Sequence, residues 1–301
     1  VKDTGEHVTQ AEVDAAPASP GRPAIVGVVL SLLAIQFLTA VGGGVIGAFF
    51  AVDLIRQGVA PLELSQRLMA DRGFLLAALI VSQGAMVLVV RVISPRLEQL
   101  PEGAMRARVG WDVGRFRLLH ALLLLAGSLS LGTMLIGTLR LVAGEDLGVL
   151  VQFERMSSEA TGFEFGLLLL VGALLAGITE EVLFRGFVQR RFVERWGPLK
   201  GVVITSVLFG VWHIDVRQGL FAMAVGLWFG LGAQRTGTIV TGAIAHILNN
   251  VASFVLSRAF PGEEDLTQLP LSIGVATVVF FGCLAALLAT TRTPPPSAAP
   301  S

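Results

Sequence analysis

An all-α, polytopic membrane protein with about eight transmembrane helices in a single bundle is the fold this sequence predicts, and three features predict it. The 301-residue chain is 53% apolar and its mean hydropathy is +0.75. Charged residues make up 15% of it, against about 25% in ordinary soluble domains, which excludes a water-soluble globule. The charges are also unevenly spread. Eight stretches, 23–52, 73–90, 118–139, 165–179, 201–214, 218–234, 236–257 and 266–291, contain no Asp, Glu, Lys or Arg. A helix needs roughly 20 apolar residues to cross the hydrocarbon core. Inside that core the backbone must satisfy its own hydrogen bonds, so helices are the default, and the alternation of a β-barrel is absent.

Taken in order, residues 1–22 are polar and read as a disordered cytoplasmic tail, since they lack the apolar content to fold. The first run is too long, and its charged leader too weak, for a cleavable signal peptide. Gly42-Gly43-Gly44 inside it permits a break or a close helix contact. Residues 23–163 hold helices 1–3 with their loops, and residues 164–291 hold helices 4–8. The runs 165–179, 201–214 and 218–234 are short and reach spanning length only if flanking charges enter the membrane. Gly226-x-x-x-Gly230 reads as a small-residue packing face. Pro294-Pro295-Pro296 opens a disordered C-terminal tail, 292–301. With the N-terminus inside, cytoplasmic segments carry 15 Lys and Arg and the opposite loops carry 7. The positive-inside rule then places both termini in the cytoplasm of a multi-pass cell-membrane protein.

Net charge is zero, which argues against nucleic acid, since that partner requires a basic face. The single cysteine, Cys283, excludes an intrachain disulfide and any Cys-rich metal site. No G-x-S-x-G elbow, Gly-x-Gly-Asp segment or Walker A lysine occurs. What does stand out is ionisable and polar residues inside charge-poor helices, each a functional-site hypothesis by default. Helix 4 ends in Thr179-Glu180-Glu181-Val182-Leu183-Phe184-Arg185, helix 5 carries Phe209-Gly210-Val211-Trp212-His213, and helix 7 carries His246-Ile247-Leu248-Asn249-Asn250. Glu180 and Glu181 lie about 100° apart on a helix, so both are not expected to face one pocket. Glu181 and Arg185 are an i, i+4 pair in the favourable order, which assigns them to structure and leaves Glu180 to the interior. A carboxylate withdrawn from bulk water is a stronger base. His246 and Asn250 share one helix face, and paired donors suit an oxyanion that develops in a fixed place.

Each feature alone has a plain reading. Glu-Glu beside an Arg-rich helix end is ordinarily a solvated membrane-flanking face, His213 beside Trp212 a packed or interfacial residue, and His246 with Asn250 interhelical hydrogen-bond glue. His120 and Cys283 have no polar company and read as packing. Three such departures from apolarity on neighbouring helices weaken the plain readings jointly. A proton-relaying transporter would spread its polar residues across the bilayer, and here they cluster.

Glu-Glu-x-x-x-Arg at 180–185, Phe-x-x-x-His at 209–213 and His-x-x-x-Asn at 246–250 resemble, in order, the three motifs of the CPBP family. That family comprises the CAAX prenyl endopeptidases and the bacteriocin-processing or abortive-infection (Abi) proteins. The resemblance covers roughly residues 164–257; the preceding 160 residues match nothing but hydropathy. It implies an intramembrane endopeptidase acting on a membrane-associated protein or peptide. By that analogy Glu180 activates water with His213 beside it, and His246 and Asn250 polarise the scissile carbonyl and hold the oxyanion. Glu181 and Arg185 support them, and Phe209 packs at the site. The family has been called a metalloprotease family, and Glu180, His213 and His246 are three candidate zinc ligands leaving a fourth position for water. No H-E-x-x-H or other metal spacing is present, so the favoured reading requires no cofactor. A non-catalytic immunity or scaffolding protein of the same fold is the other alternative. Because Glu180 lies just before the Arg190–Lys200 cluster, the cavity is expected to open on that cytoplasmic side.

Overall fold

The computed structural model describes residues 22–93, 105–143, 149–260 and 266–291; the two tails assigned from sequence lie outside them, apart from residue 22. Every element among the described residues is helical. The order is α1 (Arg22–Arg56), α2 (Pro61–Ala70), α3 (Arg72–Leu88), α4 (Met105–Arg108), α5 (Leu118–Ala143) and α6 (Val149–Ser158). A continuous helix, α7 (Gly162–Trp196), follows, then α8 (Pro198–Trp212), α9 (Val216–Thr236), α10 (Val240–Ala259) and α11 (Leu269–Thr290). Seven of these, α1, α3, α5, α7, α9, α10 and α11, are long and apolar enough to cross a membrane, and α8 is a shorter apolar helix. The chain is an integral membrane protein of eight apolar helices, as its charge-free runs predict.

Local sequence sets the ends. Asp71 accepts from Phe74 N at 2.8 Å to start α3, and Thr161 with Glu164 forms a reciprocal capping box that starts α7; both satisfy amides a helix start leaves unpaired. Asp215 caps α9 through Gln218 N at 2.8 Å, and Pro198 opens α8 where its missing N–H costs nothing. The Gly42–Gly44 segment does not break α1; it lets α1 approach α3, since a Cβ on Gly42 would meet Val81 Cγ1 at 2.5 Å.

The sequence ends helix 4 near Glu180, but α7 continues for 16 residues beyond it. Glu181 and Arg185 do not reach the membrane surface; they are buried at 0% and 1% exposure, so they punctuate the hydropathy without ending the helix. The stretches Leu168–Leu175 and Glu181–Gln189 have π-helical geometry, a widened turn that gathers at functional sites. One core packs Ile35 of α1, Met86 of α3, Leu183, Phe184 and Phe187 of α7 and Phe209 of α8 together. A second joins Leu124 of α5, Trp228 and Phe229 of α9, Ala245 of α10 and Leu287 of α11.

The bundle has a basic end and an opposite end. At the basic end Arg108 pairs with Glu194 at 2.6 Å, Arg190 donates to Ala107 O at 2.9 Å, and Ile239 N donates to Gly110 O at 3.1 Å. At the opposite end Arg72 pairs with Glu159 at 3.1 Å, and Arg258 donates to Ala160 O at 2.6 Å. The helix α8, 15 residues long, rises about 22 Å, short of the roughly 30 Å hydrocarbon core. Its antiparallel neighbour α9 has 21 residues and rises about 31 Å, so α8 is the short arm of the α8–α9 hairpin.

Candidate active site

The bundle encloses a cavity of about 590 Å³ whose lining includes Glu180, Phe209, His213, His246, Asn249, Asn250 and, from α3, Gln83. Four sequence-derived candidates, Glu180, His213, His246 and Asn250, thus share one cavity. Beyond them its wall continues to Arg140, Glu154, Ser157, Ser257 and Phe260, residues of the end opposite the Arg190–Lys200 cluster. This corrects the expected direction of opening. Glu180 precedes the basic cluster in sequence, but no residue of that cluster lines the cavity.

Glu180 retains 13% side-chain exposure, all the more notable beside Glu181 at 0%. Glu180 lines the cavity and Glu181 does not, as their separation of about 100° on a helix predicts, and His246 lies between them. Its Nε2 lies 3.8 Å from Glu180 Oε2, and its Nδ1 lies 3.2 Å from Glu181 Oε1. The two nitrogens face different directions from one ring, so a single imidazole bridges two carboxylates that point apart on α7. Glu181 Oε1 also meets Arg185 Nη1 at 3.0 Å, so a buried chain runs Arg185–Glu181–His246. The solvated-face reading of Glu180 and Glu181 is excluded by this burial.

Arg185 is anchored beyond the ion pair. Its Nη2 donates to Gly226 O at 3.3 Å, and one turn on, Gln189 Nε2 donates to Gly230 O at 3.0 Å. The Gly226-x-x-x-Gly230 face is therefore more than a packing surface: its bare backbone accepts two side chains of α7. The Arg185 guanidinium also lies 4.5 Å from the Phe209 ring centre, a cation–π contact. Phe209 touches Phe184 at 4.8 Å, His213 at 4.9 Å and His246 at 6.5 Å between ring centres. One buried ring thus packs against members of all three motifs.

His213 Nδ1 sits 2.8 Å from Phe209 O. A carbonyl only accepts, so Nδ1 carries the hydrogen and neutral His213 presents an unprotonated Nε2. Asn250 Nδ2 donates to Gly172 O at 3.2 Å, which orients the amide and leaves its second N–H without an acceptor among the described residues. Close approach of α7 and α10 is what makes this possible: a Cβ on Gly177 would meet the Ile247 backbone N at 2.9 Å. Asn249, 6% exposed, joins the wall and was not singled out by sequence; its place within the third motif is the signal that pointed there. His120 stays outside the cavity lining, with Nδ1 buried and unpaired among the described residues, and Cys283 is buried in the second core.

Among the described residues no three His, Cys, Asp or Glu side chains stand close enough to hold a metal ion. Both cavity histidines hold Nδ1 on a partner, Phe209 O and Glu181, a contact compatible with ligation through Nε2, so the spacing of the three side chains decides the point. Glu180, His213 and His246 as arranged do not form a zinc ligand set.

Residues 162–252 match the family model described as Type II CAAX prenyl endopeptidase Rce1-like. That match falls on the segment that carries all three motifs, and it covers less than a third of the chain. A Bacillus subtilis (strain 168) protein named "Putative membrane peptidase YdiL" is 29% identical over 112 residues, covering 36% of this chain and 46% of that protein. The match thus spans less than half of that relative's length. No solved structure matches the chain.

Proposed function

We propose that this protein is an intramembrane endopeptidase that hydrolyses a peptide bond in a membrane-associated protein or peptide. The observation that carries the reading is one cavity holding a carboxylate and two imidazoles, Glu180, His213 and His246, set by buried partners. Glu180 takes a proton from water as the oxygen attacks the scissile carbonyl carbon, with His213 Nε2 as a second acceptor that orients the water. The oxyanion is met by His246 Nε2 and the second N–H of Asn250. For His246 to donate there while Glu181 holds Nδ1–H, the ring carries both protons, and Glu180 and Glu181 together offset the charges of His246 and Arg185. Collapse of the tetrahedral intermediate breaks the C–N bond, and the proton held by Glu180 passes to the leaving amine. The family match and the relative's name support this reaction class.

Turnover of a membrane-reconstituted peptide library by the purified protein tests the reading. Wild type should cleave, before and after exhaustive chelation, and Glu180→Gln should not. Stoichiometric zinc that restores a chelated enzyme would replace this mechanism with a metal-assisted one.

We further propose a cell-membrane location with cytoplasmic termini. Together with the cavity's direction, that orientation has it opening away from the cytoplasm. Single cysteines at Ser257 or Gln218, in a Cys283→Ser background, should then react with impermeant thiol reagents from outside intact cells. Reaction from the cytoplasmic face alone would invert the topology.

A further inference from the structure

The cavity wall supplied by α3 lies outside the family-matched segment, and one residue there is out of place. Gln83 is 2% exposed on α3, beside Ser82 and between Leu79 and Met86, all of which line the same cavity. The Thr179 hydroxyl, on the residue just before Glu180, hydrogen-bonds one end of the Gln83 amide, assigned here as Oε1. The other end of the amide, Nε2, has no partner among the described residues, and it is not among their sealed, unpaired polar atoms. A side chain so enclosed leaves that end directed at the cavity. A buried amide with one end unmatched is destabilising unless something completes it, and in a membrane helix polar residues mark function.

We propose that Gln83 binds the main chain of the substrate peptide beside the scissile bond, an inference that rests on the peptidase reading. A primary amide fixed at one end is complementary to an extended peptide, whose main chain offers C=O and N–H in alternation. The Thr179 hydroxyl can donate to the Gln83 carbonyl or accept from its amide. In either arrangement the remaining end of Gln83 finds a main-chain partner on the peptide. Thr179 also contacts Leu175 O at 2.9 Å, which ties the amide to the turn of α7 that carries Glu180. Gln83 thereby holds the peptide at a fixed height relative to the base. Side-chain sequence is not read by such a contact; peptide character is.

The test separates binding from turnover. In a Glu180→Gln background reconstituted in nanodiscs, two fluorescent probes are titrated: an acetylated, amidated Leu-Ala octapeptide, and a long-chain alkyl alcohol with no peptide bond. Gln83→Met should raise the Kd of the octapeptide about tenfold and leave that of the alcohol within twofold. Thr179→Val, which frees the amide without removing it, should give a smaller shift in the same direction. Equal loss for both probes would mean that Gln83 merely shapes the cavity, and no loss for either would remove it from binding; both overturn the proposal. If the octapeptide binds wild type but no peptide is cleaved, the peptidase reading falls, while Gln83 is still judged by the ratio of the two shifts.

Discussion

Helices α7 and α11 are both long and apolar, with mean hydropathies of 2.1 and 2.4 in their most apolar windows, yet 56% of that window is buried in α7 and 17% in α11. The difference follows what each helix carries. Along α11 there is no ionisable residue except Cys283, and its exposed side chains, such as Val278 and Phe281, meet a solvent as apolar as they are. By contrast α7 carries Glu180, Glu181 and Arg185 at mid-length, and each ion needs partners that lipid cannot supply. Those partners come from α8, α9 and α10, so charge, more than hydrophobicity, decides which helix is central. Association of apolar helices in lipid lacks the hydrophobic drive it has in water, and the Arg185–Glu181–His246 chain supplies a specific alternative.

The largest effect expected on this contrast is at Glu180. Glu180→Gln keeps shape and hydrogen-bonding capacity but removes the base, and should lower kcat by about 10²–10⁴-fold with unfolding in detergent unchanged. Asn250→Ala comes next. Loss of one oxyanion donor should lower kcat by about 10²–10³-fold with KM little altered. A rise in KM alone would place Asn250 in substrate binding or in holding Gly172. Glu181→Gln should act first on the fold. It leaves the Arg185 charge, 1% exposed, without its counter-ion, a class of change that costs about 3–5 kcal/mol. Thermal unfolding in detergent reads that loss, and turnover should fall with it because His246 loses the group that fixes its Nδ1. Unchanged unfolding would show that Arg185 is held by Gly226 O and Phe209 alone.

How legible this was in the sequence depends on the kind of residue. Apolar runs read directly, because a 20-residue stretch without charge has one physical outcome in a bilayer. The same rule misplaced the end of helix 4, since it treats a charge as a membrane boundary and cannot see that Arg185 and Glu181 neutralise one another inside. The motif residues stood out because ions and imidazoles are conspicuous among Leu and Val. Gln83 and Asn249 are uncharged amides and did not stand out; Asn249 had its place in the third motif as a signal, and Gln83 is singled out only by the packing of α3 against the cavity. The direction of the cavity was not legible at all. It depends on which ends of α5, α6 and α10 meet around the site, and a charge-free run says only that a helix is apolar, not what it packs against.

The smallest expected effect tests the lipid-facing half of the comparison. Phe37 and Phe49 on α1 are 68% and 78% exposed, whereas Phe184 on α7 is 0% exposed with its ring 4.8 Å from Phe209. Truncating Phe184 leaves a cavity among buried rings that the surrounding helices fill only in part, and Phe184→Ala should cost about 3–5 kcal/mol. Truncating Phe37 or Phe49 removes a side chain from the bundle surface, where an acyl chain replaces it with contacts of the same kind. Phe37→Ala and Phe49→Ala should therefore shift stability by no more than about 0.5 kcal/mol, and turnover should stay within twofold. In water an exposed face of this size would mark a partner surface; in a bilayer the lipid itself is that partner. A loss at Phe37 comparable to that at Phe184, measured in lipid, would mean that α1 packs against another protein and that its face belongs with α7 in this comparison.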